Sequence, residues 1–134
     1  MNEPFTITLK VHHDCPDEPS ENTREETILH SDGRVLVRQY DHHGPDGHYR
    51  LVRRAVGHTE AETVPELRSA LLQLICQSAE FHPADTPDDA EVLLTQPGLK
   101  LSADGRLFDG TRTCASLIQD VLENLSLEWN PVTR

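Results

Sequence analysis

From Phe5 to His12 apolar and polar residues alternate at every step, which predicts a half-buried strand with Phe5, Ile7, Leu9 and Val11 on one face. The stretch from Asp14 to Glu25 holds two prolines, five acids and almost nothing apolar, and reads as a long solvated loop. Strand character resumes at Glu26–His30 and at Arg34–Tyr40. Between them lies Ser31-Asp32-Gly33, an Asp-Gly pair of the kind that tight hairpin turns favour because glycine accepts positive φ. Gly44-Pro45-Asp46-Gly47 marks another turn, and His48–Val56 returns to strand character. The first half of the chain is therefore expected to form a four-strand antiparallel meander.

The period then changes. Thr63-Val64-Pro65-Glu66 has the form of a capping box, and Leu67, Ala70, Leu71, Leu74 and Ile75 follow at helical spacing, predicting a helix from about Val64 to Ala79. Thr86-Pro87-Asp88-Asp89 resembles a second helix start, so 90–95 is expected to be a short helix ending before Pro97, with a strand as the alternative. A second short hairpin is expected over 99–108, with Leu99–Leu101 and Arg106–Phe108 as its arms and Ser102-Ala103-Asp104-Gly105 between them. A last helix is expected over 113–125, with Leu117, Ile118, Val121, Leu122 and Leu125 on one face. Leu127 and Trp129 finish as an extended segment, with 130–134 a tail. The fold class is α+β: one domain over 1–134, an antiparallel sheet of four or more strands, and two main amphipathic helices packed on one face. The repeated Asp-Gly-Arg, at 32–34 and 104–106, is a faint internal echo.

Composition narrows the function classes. The 134 residues carry 12 basic and 23 acidic side chains, a formal net charge of −11. So acidic a chain is not expected to bind nucleic acid, where affinity comes mainly from basic surface. No apolar run approaches the ~20 residues of a membrane span, and Met1–Pro4 has neither the basic start nor the apolar stretch of a signal peptide. The three cysteines, Cys15, Cys76 and Cys114, form no CxxC pair; reduced thiols and a cytoplasmic location are the expectation. The scarcity of aromatic residues, 4%, argues against a stacking surface for bases or sugars.

Three groups of residues carry candidate chemistry. His12 and His13 close the first strand beside Asp14 and Cys15, and His42, His43 and His48 surround a turn with Asp41 and Asp46. Imidazole, carboxylate and thiolate are the ligands of zinc and similar divalent metals, so these histidines make a candidate metal site. Against it, His12 and His13 point opposite ways in an extended chain, and no HxH or CxxC spacing is present. The arginines come next. Arg34, Arg38, Arg50 and Arg54, with Arg53, fall on two neighbouring strands where only Asp41 and Asp46 oppose them. Arg34 and Arg38 are expected to share a face, as are Arg50 and Arg54, making a cationic patch suited to carboxylate or phosphate. The competing reading is an exposed face neutralised by acids on adjacent strands. Finally, Cys114 in the first turn of the last helix sits where a thiol pKa is lowered, although a small buried apolar residue explains it better.

No Walker motif, GxGxxG, GxSxG or HExxH occurs, and the acids between Asp85 and Glu91 lack the spacing of a calcium loop. The order of strands, Asp-Gly hairpin and helix resembles in outline many small bacterial proteins, toxin-neutralising immunity proteins among them, without a diagnostic motif. The expected function is a small acidic interaction or regulatory module, of inhibitor, immunity or adaptor kind and without catalysis. Its partner would be a protein, basic in character, or a second copy of the chain. Two alternatives stand beside it: a metal-binding protein or metalloenzyme built on the histidines, and an enzyme or binder that holds an anionic small molecule on the arginines.

Overall fold

A computed structural model describes residues 4–13, 17, 22–43, 48–77, 89–108 and 110–131. The elements run β1 (Thr6–His13), β2 (Thr23–His30), β3 (Arg34–His43), β4 (His48–His58), α1 (Thr63–Cys76), β5 (Asp89–Gln96), β6 (Leu99–Asp104), α2 (Cys114–Glu123) and β7 (Glu128–Pro131). The seven strands form one antiparallel sheet in the order β6-β5-β1-β2-β3-β4-β7, open at both edges. The predicted meander is present as β1 to β4. After α1 the chain returns to the far side of β1 as β5, and after α2 it returns to the far side of β4 as β7.

Alternation decides which face is buried. Ile7 and Leu9 of β1 align with Leu29 and Thr27 of β2 on one side and with Leu94 and Val92 of β5 on the other. Thr27 aligns with Val37, which aligns with Ala55 of β4. All of these are buried, and the helices close over them with Val64, Leu67, Leu71 and Leu74 from α1 and Cys114, Leu117 and Ile118 from α2. Arg68 of α1 lies over the Phe5 ring at 4.1 Å, adding a cation–π contact between helix layer and sheet. The architecture is α+β, and among the described residues the opposite face of the sheet carries no helix. No helix among the described residues is long and apolar enough to cross a membrane.

Several local expectations are corrected. The segment 90–95 is strand β5, not a helix: it supplies the second partner of β1, and Val92 and Leu94 alternate into the core. The following hairpin turns at Pro97-Gly98, where Gly98 has φ +78°, and Asp104-Gly105 instead ends β6. Thr63 does not cap α1. Glu62 is already helical at φ −79°, ψ −20°, so the Glu66 N–H reaches the Glu62 carbonyl rather than the threonine hydroxyl. The expected end of α1 near Ala79 lies outside the described residues. The capping box forms on α2, where the Ser116 N–H donates to Thr113 Oγ1 at 3.1 Å and the Thr113 N–H to Ser116 Oγ at 2.9 Å. Residues 23–25 of the expected loop belong to β2, while 14–16 and 18–21 lie outside the described residues. Asn130 and Pro131 of the expected tail belong to β7.

The two Asp-Gly-Arg turns share their side-chain chemistry. Asp32 accepts from the Arg34 backbone N–H at 3.0 Å and from its Nε at 2.8 Å; Asp104 accepts from the Arg106 backbone N–H at 2.8 Å and is gripped by both Nε and NH2. Their backbones differ, since Gly33 has φ +99° and Gly105 does not have positive φ. The Arg106 side-chain hydrogen bond above all holds the Asp104 carboxyl below its ordinary 3.8, and the Arg34 backbone N–H does the same for Asp32. A carboxyl depressed by folding contributes stability above its unfolded pKa and loses it as pH falls through the lower folded value. Exchanging both aspartates for asparagine should therefore lower the urea midpoint at neutral pH. The gap from the parent should begin to close as pH drops below 3.8, where the unfolded carboxyls take up protons, and should vanish only at lower pH, once the two folded-state carboxyls are neutral as well. A gap that stays constant into acid would show that the two charges contribute nothing.

Candidate interaction surfaces

The open face of the sheet is where the candidate arginines were expected. Register places Arg34, Arg38 and Arg54 there, with Arg38 directly opposite Arg54. Arg50 is elsewhere. A register shift after Gln39 inserts Val52 as an extra residue, so Arg50 aligns with Asp41 on the helix-side face. The expected sharing of a face by Arg50 and Arg54 therefore fails. Arg34 is paired with Asp32 at 2.8 Å and Arg38 with Glu26 at 3.1 Å, so two of the four are already engaged within the chain. Arg53 lies on the helix side, donates to Gln39 and covers the Trp129 ring at 4.2 Å.

The described histidine side chains His12, His13 and His42 are not brought together. His12 aligns with Arg24 and Asp89 on the open face, while the adjacent His13 aligns with Thr23 and points the other way. His42 stands opposite Tyr49, two strands from β1, with Arg24 of β2 between; His43 is the strand partner of His48. Among the described residues no group of three or more His, Cys, Asp or Glu is placed to hold a metal ion. Asp14, Cys15 and Asp46, which complete the two sequence clusters, lie outside the described residues. Cys114 is fully buried, which shields its sulfur from any substrate, and Cys76 is exposed; neither is in a disulfide.

Sequence reasoning missed a set of residues at this end of the open face. The Arg24 guanidinium lies 3.8 Å from the Tyr49 ring centroid, and His42 meets the same ring edge-on at 5.8 Å. Arg24 and Tyr49, with Tyr40, Lys10 and His12, border a depression of about 590 Å³. Neither Arg38 nor Arg50 borders it, and Glu26 and Glu91 do, so its charge is mixed rather than cationic.

No known family model matches the chain, and no curated protein matches it.

The second surface is the groove between the two helices, about 610 Å³ in volume. Leu67 and Ala70 of α1 and Leu117 and Val121 of α2 line its floor, continued by Leu125. Exposed Glu60, Glu66 and Asp120 stand along its rim, and Arg112 and His58 are also among its lining. The helical stripes revealed which residues face the sheet. They did not reveal that the shoulders of two stripes, far apart in sequence, would meet across an acid-rimmed trough.

Proposed function

We propose that this chain is a non-catalytic interaction module whose helix layer receives a basic, amphipathic segment of a protein partner. The observation that supports this most is the groove between α1 and α2, with aliphatic side chains along its floor and Glu60, Glu66 and Asp120 at its rim. An apolar trough of this kind suits the apolar face of a helix, and acids at its margin suit lysines or arginines flanking that face. The net charge of −11 adds long-range steering, which raises the rate of encounter with a basic partner at low salt.

A fluorescent helix-forming peptide, with leucines on one face and lysines on the other, is the probe. It should bind the chain, with affinity that falls as salt is raised. Glu66→Lys combined with Asp120→Lys should weaken binding by about tenfold or more. Ala70→Trp, which fills the groove, should weaken it without changing the charge. Unchanged affinity in both variants would remove the groove as the binding site.

A further inference from the structure

The open face holds a pattern that solvation does not account for. Leu93, Thr8, Ile28, Leu36 and Val56 stand side by side across five adjacent strands, tied by the pairs Thr8↔Leu93, Thr8↔Ile28, Ile28↔Leu36 and Leu36↔Val56. Four of the five are aliphatic, on the face turned away from the helices. Val56 is 45% exposed, and the other three aliphatics are only half-buried. The outer face of an antiparallel sheet covered on one side is ordinarily polar, and an apolar row across it marks a contact surface.

The neighbouring row is charged and polarised. It reads Asp104, Glu91, Lys10, Glu26, Arg38, Arg54 from β6 to β4. With Asp104 paired to Arg106 and Arg38 to Glu26, the β5–β6 margin is left with Asp89 and Glu91 beside Lys100, and the β3–β4 margin with Arg54. Glu91 and Arg54 form no ion pair with another described residue. A uniformly basic partner would be repelled at one margin, and a uniformly acidic partner at the other. A second copy of the same face satisfies both.

We propose that the open face is the interface of a two-fold homodimer. An axis parallel to the strands, through β2, lays Glu91 of one copy over Arg54 of the other, twice; Glu26 then meets its own copy and Lys10 meets Arg38, and Glu26 and Arg38 are already paired with each other within each chain. The same axis stacks the apolar row of one copy on that of its partner. An axis across the strands would instead place the arginines of β3 and β4 over themselves. The contact is isologous, as closed two-fold symmetry requires, and two such sheets pack aligned at a spacing of about 10 Å. Seven strands about 4.8 Å apart, most of them eight residues or more in length, present roughly 800 Å² per copy, about what a stable interface buries. Repulsion between two chains of −11 is long-ranged, and a Debye length of about 8 Å at physiological salt screens most of it.

Sedimentation velocity on the full chain at physiological salt tests this. The expected result is a particle of twice the 15.1 kDa chain mass. Leu36→Glu should convert it to a monomer with unchanged far-ultraviolet circular dichroism, because Leu36 makes no part of the buried core. Arg54→Glu and Glu91→Arg should each raise the dissociation constant about tenfold or more, and combining them should restore it. The charge pair keeps the test decisive if Leu36→Glu does not fold. A monomeric parent chain would overturn the proposal, as would a dimer indifferent to all three substitutions or a double exchange that fails to rescue.

Discussion

Exchanging Ile7 for alanine is expected to cost about 3–5 kcal/mol of folding stability, a large share of the 5–15 kcal/mol typical of a domain. Ile7 is fully buried, and its strand is hydrogen-bonded on both sides, to β2 and to β5. Its side chain sits between Leu29 and Leu94 beneath the helix layer, so β1 cannot shift to fill the space without breaking two ladders. The loss therefore combines the transfer energy of the deleted carbons with a cavity that stays open. Urea titration should show a lower midpoint at an unchanged slope. Thr8→Ala, one residue along but facing outward, should change stability by no more than about 0.5–1 kcal/mol. Similar losses at the two positions would contradict the assignment of faces.

Gly33→Ala is expected to cost roughly 2–4 kcal/mol, from a strained backbone and a direct clash together. Gly33 has φ +99°, and a Cβ there would lie 2.6 Å from the Thr59 carbonyl oxygen and 2.9 Å from His58 Cε1. The Thr59 backbone cannot move away easily: its N–H donates to the Gly33 carbonyl at 2.8 Å, and Thr59 itself is buried. Gly98 separates the two contributions. It too has positive φ, +78°, but nothing lies within 4 Å of a Cβ built on it. Gly98→Ala should therefore lose only the backbone component, about 1–2 kcal/mol. Thermal or chemical denaturation of the two variants compares them directly, and equal losses would show that the approach to Thr59 relaxes without cost.

How much of this was legible in the sequence depends on what each residue's neighbours had already decided. β1 to β4 could be read because inward and outward positions differ in polarity, and because Asp32-Gly33 fixes a turn. β5 was hidden by Val92-Leu93-Leu94, a run with no polar residue to mark the outer face. The reason is now visible: Leu93 belongs to the apolar row of the open face, so both sides of that strand carry aliphatic residues. The separation of Arg50 from Arg54 follows from a bulge set by pairing with β3, in a stretch with no glycine or proline to announce it. The α2 cap carries serine where the familiar box has an acid or amide, whereas Thr63-Glu66 had the familiar form but the wrong backbone. That His12 and His13 face opposite ways was foreshadowed by their being adjacent in an extended chain. The acid-rimmed groove was not, since it exists only once two distant helices lie side by side.

The order in which this sheet is made differs from the order in which it is arranged. A ribosome releases β1 to β4 first, and at that moment the meander has two raw borders, β1 and β4, and a bare apolar face. Later segments pair with both borders, β5 with β1 from Thr6 to His12 and the four residues of β7 with β4 from Arg53 to Val56. A nascent or prematurely terminated chain would thus present two strands able to recruit others of their kind, which is how aggregates are seeded. The small β7 strand matters out of proportion to its length. It is the stopper on the longest strand of the molecule, and proteolytic loss of residues 128–131 would reopen that side to strand addition.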